Sequence, residues 1–235
     1  MMINSLSKPA AKRDVTREKI KLAARELFAH YGIDAVTIRD IAKKSGQRNG
    51  GSVNYYFGSK DDLVIEILND VARISNEQRA KYLDALEASG RTITIREILK
   101  LLIGPTESGS FEYNRLLTML QTYRRDLMHT EIPGKWDSAF QRCVEHLRGL
   151  MPGHPPKVLQ QRLYFLIPFI WTFLATSEGG EERAEFWKQF WADPSTIESL
   201  LDTAEGMLVH PASSETLKAL RKRPRAAKPK LVGAD

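Results

Sequence analysis

The side chains best suited to chemistry fall in one short polar stretch, Gln47-Arg48-Asn49-Gly50-Gly51-Ser52-Val53-Asn54-Tyr55. Arginine can pair bidentately with guanine and asparagine with adenine, each good pair giving about 1 to 3 kcal/mol of discrimination between bases. Gln47, Ser52 and Tyr55 add groups that suit base edges or phosphate oxygens. Other chemistries are poorly served. The glycine-rich run Gly104 to Ser110 lacks the lysine that a phosphate-binding loop needs, and it opens no helix after a strand. His129, His146 and His154 show no metal-ligand spacing, so neither a metal nor another cofactor is expected. Cys143 is the single cysteine and reads as a small buried hydrophobe. With no converging nucleophile and base, an enzyme is not expected.

Charge is distributed in the way a polyanion partner would require. Residues 8 to 60 hold twelve Lys/Arg against five Asp/Glu, and residues 218 to 230 hold seven Lys/Arg and no acid, while the whole chain is only +6. A basic head and a basic tail therefore flank an acidic body. The 235 residues are 42% hydrophobic and 27% charged, ordinary globular values for a chain with a sizeable core. The apolar stretches read as too interrupted to cross a bilayer. Met1 to Arg13 lacks an apolar run followed by a cleavage site, which makes the cytoplasm the expected location.

The polar stretch needs elements to position it, and the pattern supplies them. Ile20, Ala23, Ala24, Leu27, Phe28 and Tyr31 recur at helical spacing from Thr16, with Gly32 as the closing glycine. After Ile33 to Val36, Thr37 is placed to cap a second helix with Asp40 three residues on and Ile38, Ile41 and Ala42 facing inward. This helix ends at Ser45-Gly46, and the polar stretch follows as a third element, the layout of a helix-turn-helix. Ser59 with Asp61 and Asp62 starts a fourth helix marked by Leu63, Ile67, Val71 and Ile74. Further helical segments are predicted near 77–89, 94–103, 110–128, 135–150, 156–177, 181–191 and 195–208. No stretch alternates as a strand would, so the expected fold class is all-α. Boundaries are drawn as an arm over 1–13, a helix-turn-helix domain over 14–62, a helical body over 63–210 and a disordered basic tail over 211–235.

Thr16 to Phe28, then Gly32, Thr37-Ile38-Arg39-Asp40-Ile41-Ala42, Gly46 and Tyr56-Phe57-Gly58-Ser59-Lys60-Asp61-Asp62-Leu63 together resemble the N-terminal domain of TetR-type regulators. The resemblance spans roughly residues 14 to 68. It implies that a three-helix domain docks in the major groove, with Thr37, Tyr56 and Lys60 on phosphates. Thr37 and Lys60 also stand at helix N-termini, where exposed N–H groups and the dipole welcome an anion. The DNA-contacting set is accordingly Thr37, Arg39, Gln47, Arg48, Asn49, Gly51, Ser52, Asn54, Tyr55, Tyr56 and Lys60. One departure stands out: Gly46 to Phe57 is a residue longer than the family pattern. Gly50-Gly51 fits either a bulge or a later start of the recognition helix, since glycine disfavours a helix interior by roughly 1 kcal/mol.

For the body, the resemblance implies a homodimer and a pocket whose small-molecule ligand sets affinity for double-stranded operator DNA. Leu163 to Leu174 is apolar all round, as in a helix packed on two sides, with Pro168 placed to kink it. Phe165 and Phe169, with Ile197, Leu200, Leu201 and Leu208 on a second helix, are the expected dimer contacts. Phe111, Leu116, Met119, Tyr123, Trp136, Phe140 and Trp171 are the expected pocket lining, suited to a hydrophobic or amphipathic ligand. Arg124-Arg125 reads as an ion-paired surface rather than a ligand site. The resulting expectation is a repressor released from a palindromic operator by its ligand. The competing one is a ligand-independent, largely nonspecific DNA binder that relies on the basic tail.

Overall fold

The computed structural model describes residues 8–104, 113–178 and 184–222, and every described element is an α-helix. The first four are α1 (Lys8–Tyr31), α2 (Ile38–Lys44), α3 (Gly50–Phe57) and α4 (Lys60–Ala88). They are followed by α5 (Ile95–Ile103), α6 (Tyr113–Tyr123), α7 (Arg125–Glu131) and α8 (Ser138–Leu150). The chain continues with α9 (Pro156–Ala175), α10 (Glu185–Ala192), α11 (Ser195–Val209) and α12 (Ser214–Arg221). The architecture is an N-terminal three-helix head followed by a larger helical body.

Two apolar cores organise these helices. The first gathers Ile20 and Phe28 of α1, Ile41 of α2, Val53 and Phe57 of α3 and Leu63, Ile67 and Leu68 of α4, nearly all of them fully buried. It also takes Leu116, Leu117 and Leu120 of α6 and Leu127 of α7, so two body helices are built into the head. The second joins Leu83 of α4 with α5, α8, α9 and α11, including Cys143, Leu147, Leu166 and Leu201. Burial pushes the Cys143 thiol up, which keeps it protonated and unreactive.

Several helix ends differ from the sequence expectation for local reasons. α1 begins at Lys8, two turns before Thr16. α4 runs unbroken for 29 residues, merging two predicted segments through the polar run Ser75-Asn76-Glu77. The predicted helix over 110–128 divides at Arg124, whose φ and ψ of −132° and 45° leave helical space. Within the stretch expected to lack structure, α12 forms because Ser213 accepts from the Thr216 N–H and Glu215 precedes Lys218 and Arg221 along the dipole. None of its residues is buried, so local chemistry and not a core supports it. Tyr31 and Ile74, read as inward-facing, are 66% and 43% exposed because each lies past the face its helix buries.

By length and composition α9 is apolar enough to cross a membrane, contrary to the reading that no stretch is. It instead lies against α5, α6 and α11, with Leu163, Leu166, Ile170 and Leu174 in the second core. α11 likewise buries Leu200, Leu201, Ala204 and Leu208 against α5 and α9.

Ile41 of α2 lies in the first core, where α2 packs against α1 and α3, and it is completely buried. Ile41→Ala is expected to destabilise the protein by about 2 to 5 kcal/mol, read as a lower midpoint in urea unfolding. Ile74→Ala, at an exposed site, is expected to move it by less than about 0.5 kcal/mol.

Candidate functional site

The head's outer surface is assembled from α2, the turn after it and α3. Thr37 caps α2 in a reciprocal box: the Asp40 N–H donates to Thr37 Oγ1 at 3.2 Å, and the Thr37 N–H donates to Asp40 Oδ2 at 2.9 Å. The hydrogen bond from the Thr37 hydroxyl and that from its backbone hold the Asp40 carboxyl below its usual range. Both Thr37 donors are therefore engaged, and a phosphate at this cap would have to take the place of the carboxylate.

The turn closes with paired bonds, Gln47 N–H to Ala42 O at 2.8 Å and Gly46 N–H to Lys43 O at 3.2 Å, the pattern of a Schellman motif. Gly46 has φ of +72°, which explains its identity. α3 then starts at Gly50 with Asn49 as N-cap, so Gln47, Arg48 and Asn49 precede the helix. Gly50 is there because α3 approaches α2 closely: a Cβ on it would lie 3.0 Å from Ile38 Cγ2.

Burial divides α3 cleanly into two faces. Val53 and Phe57 are buried in the first core, while Gly51, Asn54 and Tyr55 are exposed, with exposed Arg48 and Asn49 at the helix's N-terminal end. Arg39 is exposed on α2, and Gln47, Ser52 and Tyr56 are half-buried. The α3 face offered to solvent is thus polar, contiguous and free of carboxylates.

Two arginines that the sequence pattern did not single out hold α3 in place. Arg17 of α1 donates from Nη1 to the Tyr56 carbonyl at 2.6 Å and from Nε to Glu66 Oε1 at 2.8 Å, with a second bond to the other Glu66 oxygen. Its guanidinium also lies over the Phe57 ring at 4.5 Å. Arg13 lies over the ring of Tyr55 at 5.6 Å, next to the exposed face. Beneath them Lys21, only 7% exposed, meets Glu18, Asp70 and Glu66. A spacing rule finds apolar stripes and cannot reveal such cross-helix forks.

Lys60 is half-buried and its ammonium donates to the carbonyls of Ile33 at 3.0 Å and Val36 at 3.1 Å. Two of its three donors thus tie the start of α4 to the loop before α2 and leave one for an outside acceptor. Beside it, Arg124, at the α6–α7 break, donates to Asp61 at 3.1 Å, and that bond holds the Asp61 carboxyl below its usual range. At the other end of α6, Glu178 accepts from the N–H groups of Asn114 and Arg115 at 2.8 and 2.9 Å. Burial pushes this carboxyl up despite those bonds.

The body carries an open-sided cavity of about 300 Å³ between the α6–α7 break, α8 and α9. Of the expected lining, Phe140 and Trp171 reach it. Leu116 is buried in the first core and Met119 packs against that core, because α6 turns this face to α1. Tyr123 is 73% exposed, Trp136 donates from Nε1 to Asn69 at 3.0 Å, and Phe111 lies outside the described residues. Met128, Val144, Leu163 and Ile167 complete the apolar wall. Among the residues read as dimer contacts, Phe165 is 65% exposed, and Phe169 and Ile197 are half-buried. Leu200, Leu201 and Leu208 are buried in the chain's own second core.

Comparison with known proteins agrees with this geometry. The sequence model of "Bacterial regulatory proteins, tetR family" matches residues 20–67, the span of the head. The HTH-type transcriptional repressor KstR2 of Mycolicibacterium smegmatis is 44% identical over 64 residues, 27% of this chain and 29% of its own length. The HTH-type transcriptional dual regulator CecR of Shigella flexneri is 34% identical over 76 residues, 32% of this chain and 33% of its own length. The chain thus matches about a third of the length of these curated relatives. Among solved structures, AmtR of Mycobacterium smegmatis aligns over 88% of this chain and 95% of its own, at a TM-score of 0.51 and 20% identity. NalD of Pseudomonas aeruginosa, the secondary repressor of the MexAB-OprM multidrug efflux pump, aligns over 85% of this chain and 100% of its own, at 0.51 and 23%. Residues 20–67 thus form an N-terminal DNA-binding domain similar to that of the tetR family, with a larger helical domain behind it.

Arg17→Ala is expected to lower stability by roughly 1 to 2 kcal/mol, the value of a charged fork discounted for partial exposure. Arg17→Lys is expected to restore less than half of that, because an ammonium lacks the planar guanidinium that pairs with both Glu66 oxygens while also reaching the Tyr56 carbonyl. Urea unfolding of the two variants checks both.

Proposed function

We propose that the chain is a transcriptional repressor that binds a palindromic operator as a homodimer and leaves it when a small molecule occupies the body. The observation that carries this reading is the two-faced α3: Val53 and Phe57 lock one side into the core while Arg48, Asn49, Gly51, Asn54 and Tyr55 stand exposed on the other. A helix held this way by α2 can lie in a major groove with its polar face on base edges. In this reading Arg48, Asn49 and Asn54 read bases, with Gln47, Ser52 and Tyr55 beside them. Arg39, Thr37, Tyr56 and the third donor of Lys60 meet phosphates. The exposed aromatic side chains Phe165 and Tyr164 of α9, each 65% exposed, support a dimer contact on that helix.

Release by a ligand is supported by the path from cavity to head. The α6–α7 break carries Gln121, Met128 and His129 to the cavity and Arg124 to Asp61, next to the lysine that holds the loop before α2. A ligand that favours a different α6–α7 arrangement would shift the head only through its differential affinity for the two arrangements.

Selection of bound duplexes from a random pool at physiological salt tests the reading. A palindrome with two half-sites is expected, and a pool that yields no enriched sequence overturns the proposal. On the selected duplex, Arg48→Ala is expected to lose about 1 to 3 kcal/mol and to relax preference at one base position per half-site. Arg39→Ala is expected to weaken all sequences alike and to reduce the salt slope by about 0.9 for each phosphate that is no longer neutralised.

A further inference from the structure

The cavity wall carries a charge and polarity pattern that the DNA-binding reading does not use. Its apolar part is formed by Met128, Phe140, Val144, Leu163, Ile167 and Trp171. Its polar part holds Arg148 and His129 and the side chains of Gln121, Gln141, Gln160 and Tyr164, with no aspartate or glutamate among the lining residues. Polar groups in a pocket are normally few and matched to what they hold. Here the polar ends of Gln121, His129 and Gln160 make no hydrogen bond with any described residue, so the wall presents unspent donors.

Arg148 is the strongest of them. Only its Nη1 is engaged, with Glu145 three residues earlier on the same helix, and Glu145 is 68% exposed. An exposed pair of this kind contributes little and yields readily to a better acceptor. The other donors of the planar guanidinium remain, in a geometry that matches an oxyanion.

We propose that this cavity takes an amphipathic anion, with its hydrocarbon part on the Phe140–Trp171 wall and its carboxylate or like head at Arg148, steadied by His129 and the glutamine amides. At about 300 Å³ the cavity stands at the small end of ligand pockets, which favours a medium-length acyl or aryl-alkyl chain over a bulky ring system. The site deepens the effector reading above and rests on it only for the consequence at the DNA.

The test is calorimetric titration of the full chain with decanoate, decan-1-ol and decylammonium, which share a tail and differ in the head. Decanoate is expected to bind at least tenfold more tightly than decan-1-ol, with decylammonium weakest. Arg148→Gln, at an exposed position that leaves the fold intact, is expected to bring decanoate to the affinity of decan-1-ol and to leave decan-1-ol unchanged. Equal affinities in the wild-type chain, a decanoate preference that survives Arg148→Gln, or no binding of any of the three overturns the site. Operator binding measured with saturating decanoate separates the two readings. A head-group preference with unchanged operator affinity keeps the site and removes the effector role. Specific operator binding with no head-group preference keeps the regulator and removes the site.

Discussion

The structure depends on the continuity of α4. Its N-terminal half places Leu63, Val64, Ile67, Leu68 and Val71 in the core of the head, and Leu83 near its far end belongs to the core of the body. A helix of 29 residues can curve gently but kinks sharply only at a defined break, and no proline or glycine interrupts this one. The head is therefore fixed to the body along a rod and not hung from a linker. α6 and α7 reinforce the joint by contributing Leu116, Leu117, Leu120 and Leu127 to the head's own core.

The recognition surface follows from that rod. α3 is only eight residues long, too short to persist alone. It is held at one end by the close approach of Gly50 to Ile38 and at the other by Arg17, which bridges the Tyr56 carbonyl to Glu66 of α4. Lys60, at the first residue of α4, fastens the loop before α2 by two carbonyls. The polar face of α3 is thus oriented by charged forks anchored on α4, and its direction is set by the same helix that enters the body. Around it the positive charge of the head supplies the long-range attraction for a polyanion.

Much of this could be read from the amino-acid sequence where the cause is local. Thr37 with Asp40, Ser59 with Asp62 and Gly46 after α2 are short-range signals, and each forms the cap or turn its spacing implies. What depends on a distant partner was not legible. The need for a residue without a Cβ at position 50 comes from Ile38, on another helix. Periodicity marks Leu116, Leu200, Leu201 and Leu208 as apolar faces but does not say what covers them: α1 takes the first, and α5 with α9 takes the others. The break expected within α4 rests on the polar run at Ser75-Asn76-Glu77. Asn76 is in fact used there, its side chain accepting from the Ala139 N–H at 2.9 Å. Which of the aromatic side chains reach the cavity likewise depends on how α6 lies against α1 and α9.

If α4 sets the head rigidly on a dimeric body, the distance between two reading helices is fixed before DNA arrives. The direct measurement is affinity for a series of duplexes in which the two half-sites of the selected operator are moved apart one base pair at a time. The rigid account predicts a sharp optimum near one helical turn or a multiple of it, about 34 to 36 Å per turn, with at least a tenfold loss two base pairs away. A flat profile across the series would contradict it, because heads free to adjust their separation cannot be carried on a continuous rod.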